Sequence, residues 1–403
     1  MVNGNKYEFI SAYKHGRIGW LQSLLRCSIL VFSIIAFQLS AVFSQDIAVG
    51  LMNRKTISTF LFSPTDSKYV LLTEDGDTIY VFKSDDAISV STAGERLLVK
   101  SPFGLNDTIS SLQLVGSGKS PSCRVRFNDE KSDYSYFDKL SVSASDGVLK
   151  VVNHVSIERY VARVVQSEVG YGAAEEYYKI QSIICRTYAV RNLERHVIDG
   201  YDLCDHEHCQ VYSGLKLATN DVVKATSATS GLVMVDHGND LILSAFHANC
   251  GGQTSNSEDV WREPRSYLTS VEDTFCLKSR SAVWEKTIPV DEFITQLGFK
   301  TNVEELENWS FNQPDRKKYF TLKTDSMETA QMRRLLQLRS TYFDLKMNDG
   351  NIEFVGRGYG HGVGLCQQGA MNMAESGYTY SQILGYYYKG VSLIPMTSLQ
   401  PEK

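Results

Sequence analysis

Four cysteine and histidine side chains fall within six residues of this sequence: Cys204, His206, His208 and Cys209. His196 lies eight residues upstream of the first cysteine. Zn²⁺ takes thiolate and imidazole ligands tetrahedrally, so a tight turn could present both thiols and the imidazole of His208, with His196 completing a closed structural site. A disulfide between Cys204 and Cys209 is the alternative in an oxidising compartment, and two reduced thiols in a turn are another. Composition alone favours neither the metal site nor the disulfide over the other.

Two polar, glycine-rich segments are further candidates for a binding surface. The first, FHANCGG, contains His247 and Asn249, and the second is the loop 356–369, which contains His361 and Gln367. Glycine permits positive φ and lets backbone approach a ligand closely, while His, Asn and Gln side chains can hydrogen-bond it. The alternative is that the glycines serve only tight turns and the histidines bond buried carbonyl groups.

The first half of the chain must position some of these groups on strands. Short alternating segments bounded by turn residues predict strands between 46 and about 160. The clearest segments are Tyr69 to Leu72, Thr78 to Phe82, Ser122 to Phe127, Leu140 to Ser143 and Val148 to Val152. This half is therefore predicted to be β-rich.

Helical periodicity begins at about residue 156. Ser156 could cap a helix with apolar residues at three- and four-residue steps, and a second helix is predicted from Ala173 to about Glu194. Glu168 falls in the break between these two helices. Later helices are predicted at Val290 to Leu297, around Met327 to Leu338 and around Tyr380 to Tyr388. Helices and strands are partly segregated without long βαβ alternation, which predicts an α+β fold.

Composition and charge narrow the function classes. With 43% hydrophobic residues in 403, the chain can build about two or three folded domains. The 41 basic and 46 acidic residues give a formal charge of only -5. This balance gives no sign of a dominant electrostatic footprint for nucleic acid or an anionic membrane.

The N-terminus carries an export signal. A polar stretch with Lys14 and Arg17 precedes an uncharged apolar run from Ser28 to Ser44, which ends in small residues typical of a cleavage site. A cleaved signal peptide over 1–44 is expected, and a retained membrane anchor is the alternative. The chain is then periplasmic or on the cell surface.

Seven of the eight cysteines follow the apolar run and would face a compartment where disulfides persist. An odd number cannot all pair, which leaves room for a metal site or for buried unpaired thiols. Cys250 is near His247 and Cys366 is near His361 in sequence. A Cys–His nucleophile is nevertheless disfavoured, because such pairs are recognised by geometry and an exported thiol risks oxidation.

Four motifs, in the same order over about 210 residues, resemble the family of stage II sporulation protein D and the amidase enhancers. They are VVQSEVG with the following QSIICRTYAVRN, YDLCDHEHCQVYSG from 201 to 214, FHANCGGQTSNSEDVW from 246 to 261, and GRGYGHGVGLCQQGA from 356 to 370. One such string would be weak, but four in one order are specific. The resemblance divides the chain into 1–44, a β-rich region 45–130 and a glycan-cleaving domain 131–396.

The resemblance implies a peptidoglycan lytic transglycosylase with Glu168 as the catalytic acid. Such an enzyme cleaves the bond after N-acetylmuramic acid by letting that sugar's 6-hydroxyl attack, so a 1,6-anhydro end forms and one carboxylate suffices. The Glu168 carboxyl should then have a pKa raised by partial burial beside Val165 and Val169. An ordinary solvated glutamate is the alternative.

The resemblance also implies ligands and partners. Peptidoglycan strands are expected to lie in a cleft between the β-rich and helical parts, in contact with Arg186, Tyr188, His247, Asn249, His361 and Gln367. It favours structural zinc at His196, Cys204, His208 and Cys209. Because the family includes amidase enhancers, the alternative is a non-catalytic cell-wall-binding protein that activates a partner amidase.

Overall fold

A computed structural model describes residues 45–399 apart from 66–67, 84, 103, 129, 216, 302–305 and 307–308. The segment 1–44, for which the sequence predicts a signal peptide or anchor, lies outside the described residues. The protein is 35% strand and 24% helix, and its β-rich N-terminal part is followed by a mixed part. The predicted α+β class is confirmed.

Residues 46–156 form twelve strands. They are β1 (Asp46–Leu51), β2 (Thr59–Pro64), β3 (Lys68–Leu72), β4 (Thr78–Val81), β5 (Ile88–Ala93), β6 (Arg96–Lys100), β7 (Asn106–Ile109), β8 (Ser111–Ser117), β9 (Ser122–Phe127), β10 (Tyr134–Phe137), β11 (Lys139–Ser145) and β12 (Val148–Ser156). With β13 (Leu203–Cys204), they form a sheet of order β13-β1-β12-β11-β8-β3-β4 and another of order β10-β9-β2-β5-β6-β7. In β9, Val125 is buried while Arg124 and Arg126 are exposed, because alternate side chains face the core.

The described residues also form eight α-helices. They are α1 (Ile157–Val169), α2 (Glu175–Arg191), α3 (Asn220–Ala228), α4 (Ser257–Val260), α5 (Val290–Leu297), α6 (Thr329–Leu335), α7 (Gln367–Glu375) and α8 (Tyr380–Tyr387). The remaining strands are β14 (Leu232–Val235), β15 (Phe246–His247), β16 (Val283–Pro289), β17 (Ser310–Phe311), β18 (Tyr319–Leu322), β19 (Asp325–Glu328), β20 (Tyr342–Asn348), β21 (Asn351–Arg357), β22 (Leu365–Cys366) and β23 (Ser392–Pro395). None of the described helices is both long enough and apolar enough to cross a membrane.

The first hydrophobic core joins the β-rich part to the helices. It contains Phe60 and Leu114 from the sheets together with Tyr160, Val161 and Val164 from α1, all fully buried. The apolar spacing that predicts α1 thus places one face of that helix on the sheets. The boundary expected near residue 130 falls between β9 and β10, two strands that pair with each other.

Two further cores hold the second half of the chain. One packs α2 against α7 and α8, with Ile180, Ile184 and Tyr387 among its buried members. The other lies within 284–354, where the sheet β16-β21-β20-β17 packs on α5 and α6 around Phe293 and Phe354. The sequence did not distinguish this third core from the rest of the region 131–396.

Candidate functional site

Two thiols and two imidazoles meet beside the edge strand β13. The atoms with which His196, Cys204, His208 and Cys209 could hold a metal ion all lie within 4.8 Å of one another. The Nδ1 atom of His208 is 3.7 Å from Cys204 Sγ and 3.8 Å from Cys209 Sγ. His206 has another role, since its Nδ1 accepts the backbone N–H of His208 at 3.2 Å. The four side chains proposed as zinc ligands are therefore neighbours.

His196 is oriented as a metal-binding histidine would be. Its Nδ1 lies 2.8 Å from Asp199 Oδ2, so this nitrogen carries the proton in the neutral ring and donates to the carboxylate. Its Nε2 is buried and has no hydrogen-bond partner among the described residues. Burying this nitrogen without a partner for its lone pair costs free energy. A metal ion would supply that partner, and the two nearby thiolates would bind the same ion. The residues present thus fit a tetrahedral Zn²⁺.

The segment that carries Cys204 and Cys209 is fastened to the first sheet. Cys204 ends β13, which pairs in parallel with β1 and sets Cys204 opposite Gly50. The Asp205 carboxylate accepts the N–H of Met52 at 2.8 Å. A turn follows, in which the N–H of Cys209 donates to His206 at 3.0 Å. These bonds hold residues 204–209 in a turn that brings Cys204, His208 and Cys209 together.

Glu168 lies one residue before the end of α1. Burial raises the pKa of its carboxyl above the ordinary glutamate value, and a hydrogen bond from the backbone of Val211 opposes that shift. No ion pair formed among the described residues includes Glu168, whereas Glu158 on the same helix is paired with Arg186. Glu168 is therefore an uncompensated, partly buried carboxyl, which is the state required of a general acid.

The chain from Cys209 to Val211 connects the cluster to Glu168. Gln210 follows Cys209 and accepts from the Tyr160 hydroxyl of α1 at 3.3 Å, and Val211 then supplies the N–H that faces Glu168. A groove of about 310 Å³ opens here, lined by Tyr134 and Tyr136 of β10 and by residues 205–207 and 211–214, Val211 among them. The segment 204–214 therefore supplies ligands to the Cys/His cluster, faces the Glu168 carboxyl and lines the groove.

Two of the expected glycan contacts are buried and hydrogen-bonded within the protein. Arg186 is fully buried, and its Nε and Nη2 bond the two Glu158 oxygens at 2.9 and 2.6 Å. Its Nη1 donates to Leu232 O at 3.1 Å, so the guanidinium ties α1, α2 and β14 together. Asn249 is also buried, and its side chain closes a turn by accepting from Gly251 at 2.7 Å. Neither side chain has a free polar group to offer a sugar.

The other expected contacts are distributed over two places. The hydroxyl of Tyr188 accepts from Arg195 at 2.9 Å and lies 3.4 Å from His208 O, beside the Cys/His cluster. The side chain of Gln367, at the start of α7, hydrogen-bonds the Tyr177 hydroxyl. Tyr188 is thus nearer the cluster than the glycine-rich segments, and Gln367 is committed to α2.

The two glycine-rich segments meet where β15 pairs with β22. The ring centroids of His247 and His361 are 5.5 Å apart, and that of Trp261 is 5.0 Å from His361. His361 is satisfied, because its Nε2 lies 2.9 Å from Phe246 O and its Nδ1 accepts the N–H of Val363. The Nε2 of His247 is buried and lacks a partner in the described part of the chain. Gly364 has a φ of +73° and sits so close to Ala245 O that any Cβ would clash.

Comparisons with known proteins agree with the motif order. The family model for stage II sporulation protein, SpoIID, matches residues 145–235. Stage II sporulation protein D of Bacillus amyloliquefaciens is 29% identical over 259 residues, which cover 60% of this chain and 75% of that protein. Its counterpart in Bacillus subtilis is 28% identical over 259 residues, with the same coverage. The chain is thus similar to the SpoIID family over this region.

The amidase enhancer of Bacillus subtilis is also similar to this chain. It is 25% identical over 289 residues, which cover 57% of this chain and 39% of the enhancer. The matched region 145–235 contains Glu168, Val211 and the four clustered ligands, while His247 and His361 lie beyond it. The resemblance deduced from the motifs is confirmed.

Sequence reasoning missed three residues of this candidate site. Asp199 orients His196, Val211 bonds Glu168, and Trp261 stands beside His361. Of the three, only Asp199 could have been predicted from the sequence, since a carboxylate three residues after a candidate ligand is close enough to bond it. Val211 acts through its backbone, which no side-chain pattern reveals.

Proposed function

We propose that this protein is a peptidoglycan lytic transglycosylase in which Glu168 is the single catalytic acid and base. The observation that carries the proposal is the partly buried Glu168 carboxyl, whose pKa burial raises and which no cation among the described residues neutralises. A carboxyl of this kind keeps a proton closer to neutral pH than a solvated one. The similarity to the SpoIID family over 145–235 supports the same assignment.

The proposed reaction needs one carboxyl in two states. Protonated Glu168 donates to the glycosidic oxygen as the bond from C1 of N-acetylmuramic acid breaks. The carboxylate then accepts the proton of that sugar's 6-hydroxyl as its oxygen bonds to C1, which closes the 1,6-anhydro ring and restores the acid. No water is consumed, so the second carboxylate of a glycoside hydrolase is not required. Glu158 could not serve as that second group, since Arg186 holds both of its oxygens.

A zinc ion at His196, Cys204, His208 and Cys209 is part of the proposal. Four protein ligands close the coordination of Zn²⁺, so the ion would be structural and would not activate water. Its role would be to hold the turn from which Gln210 and Val211 reach α1. The N–H of Val211 would then stay directed at the Glu168 carboxylate as its charge changes.

Glycan binding is proposed at the groove of about 310 Å³ beside Val211. The groove lies between the β-rich part and the turn 205–214, whereas the sequence predicted a cleft between the β-rich and helical parts. His361 with the part-exposed Trp261 offers a second, aromatic surface of the kind that sugar rings stack on. This function requires export, which the sequence of residues 1–44 predicts.

The deciding experiment measures products. Purified protein is incubated with peptidoglycan and with strands stripped of stem peptides, and released fragments are analysed by mass spectrometry. Products ending in 1,6-anhydro-N-acetylmuramic acid are expected from wild type and not from Glu168→Gln. The matched control is Glu194→Gln, since Glu194 is an exposed glutamate beyond the end of α2. Release of no product from either substrate by the folded wild type would refute the enzyme.

A non-catalytic amidase activator is the second candidate, favoured by the similarity to the amidase enhancer. In that case the protein binds cell-wall sacculi and raises the activity of a cell-wall amidase without releasing anhydro products. Glu168→Gln would then leave stimulation unchanged. The two functions are separated by assaying the same two proteins for product release and for amidase stimulation.

A further inference from the structure

A second group of metal-type ligands lies inside the core formed by α2, α7 and α8. Cys250, Asp273, Cys276 and Cys366 are all buried, and the atoms they offer lie within 4.8 Å of one another. Cys250 Sγ is 3.4 Å from Cys276 Sγ and 3.2 Å from Asp273 Oδ2. The edges of a tetrahedron around Zn²⁺, with Zn–S of about 2.3 Å and Zn–O of about 2.0 Å, measure roughly 3.5–3.8 Å. We propose that these four side chains bind a second, structural zinc ion.

The surroundings supply what a buried thiolate site requires. The N–H groups of Cys250 and Gly369 point at Cys366 Sγ from 3.3 and 3.4 Å. Donors of this kind stabilise negative sulfur, whereas a neutral thiol in an apolar core would not need two of them.

Asp273 is held as a ligand would be held. Its Oδ1 accepts the N–H of Phe275 at 2.9 Å, and its Oδ2 accepts from the Tyr387 hydroxyl at 2.8 Å while facing the sulfurs. Second-shell donors of this kind orient metal-binding carboxylates. Asp273 is fully buried, and none of the ion pairs within the described ranges includes it. A divalent cation would neutralise a carboxylate that is otherwise expensive to bury.

Gly369 shows that the group is closely built. A Cβ at this position would lie 2.2 Å from Asp273 Oδ2 and 2.2 Å from the Tyr387 hydroxyl. Only glycine therefore lets the first turn of α7 approach the carboxylate. The proposed ion would join the turn after β15, the turn at 273–276 and the start of α7, and so fix the β15–β22 pair, in which His247 lies on β15 and His361 in the loop that leads to β22.

A disulfide is the competing use of these cysteines. A bond between Cys250 and Cys276 would need their sulfurs at about 2.05 Å and would leave Cys366 and Asp273 without a role. The distance of 3.4 Å, together with the third thiol and the carboxylate, points to a shared ion instead.

Zinc content tests the proposal on the purified protein by inductively coupled plasma mass spectrometry. About two zinc ions per chain are expected for the wild type, and about one each for Cys366→Ser and Cys209→Ser, which damage different sites. Cys123→Ser is the control, because Cys123 is a buried cysteine of the β-rich part, and about two ions should remain. An unchanged zinc content in folded Cys366→Ser would overturn the second site.

The wild type provides a second measurement that does not depend on a variant folding. X-ray absorption at the zinc edge should give an average of about 2.5 sulfur ligands per zinc if Cys₂His₂ and Cys₃Asp sites are both filled. An average of about 2 sulfurs with one zinc per chain would mean that only the first cluster binds metal. Alkylation after unfolding in chelator without reductant should modify Cys250, Cys276 and Cys366, and protection of two of them would establish the disulfide instead.

Discussion

The backbone N–H of Val211 donates to the carboxylate of Glu168, two residues after Cys209 leaves the Cys/His cluster. A bond of this kind favours the charged carboxylate, while burial favours the neutral acid. The two effects oppose each other at Glu168, and burial, the larger, leaves the pKa raised. The balance depends on where the turn 204–211 sits.

Replacing Glu168 by Gln should lower the rate of anhydro-product release by at least about 100-fold, because general acid–base catalysis contributes about 10²–10⁴. The measurement is the initial rate on stripped glycan strands, with zinc content and circular dichroism showing that the variant is folded. The control Glu194→Gln should keep the wild-type rate. A Glu168→Gln rate within a few-fold of wild type would remove Glu168 from the chemistry.

The same substitution should stabilise the protein at neutral pH. An acid whose pKa is raised on folding stabilises the fold while it is protonated, and this contribution is lost as pH rises through the raised pKa. Gln cannot ionise, so Glu168→Gln should melt higher than wild type near neutral pH, by on the order of 2 °C. The difference should vanish as pH falls below the ordinary glutamate pKa. Melting curves across this range would contradict the raised pKa if the difference grew towards acid.

Local patterns predicted the secondary structure and the first cluster. The predicted strand at Ser122 to Phe127 has the bounds of β9, and the predicted helix at Val290 to Leu297 has those of α5. Cys204, His208 and Cys209 lie within six residues, so their meeting required only one turn. Periodicities of two and 3.6 residues and short ligand spacings are properties of neighbouring residues, which a sequence displays directly.

Contacts between residues far apart in the sequence could not be predicted from such local patterns. Arg186 meets Glu158 across 28 residues, and Cys250 meets Cys366 across 116. Nothing local distinguishes an arginine that binds sugar from one that is buried in an ion pair, so Arg186 was assigned to the substrate. The third core, around Phe293, escaped notice for the same reason, since its strands alternate like those of the rest of the chain.

Removing the Arg186 guanidinium should destabilise the fold without a specific effect on glycan binding. Arg186→Met would leave the Glu158 carboxylate part-buried and unpaired, a change that costs about 3–5 kcal/mol in buried pairs. Urea denaturation should show this loss in the free energy of unfolding. The control Arg265→Met removes a surface pair with Glu263 and should change it by less than about 1 kcal/mol. A raised KM with an unchanged free energy of unfolding would mean that Arg186 binds the substrate.

Asp199 should control the zinc affinity of the Cys/His cluster although its carboxylate is not one of the four proposed ligands. Its carboxylate holds Nδ1 of His196 and thereby directs Nε2 to the two sulfurs. Asp199→Asn should weaken zinc binding at this cluster by about 10–100-fold, as loss of such partners does elsewhere. Competition with a chromogenic chelator measures the affinity, and hydrogen exchange at the Val211 amide reports whether the turn loosens with it. Glu207→Gln is the matched control, because Glu207 lies in the same turn and pairs only with exposed Arg54. Equal affinities in the two variants would mean that His196 is not a ligand, and the link from metal to Glu168 would then be lost.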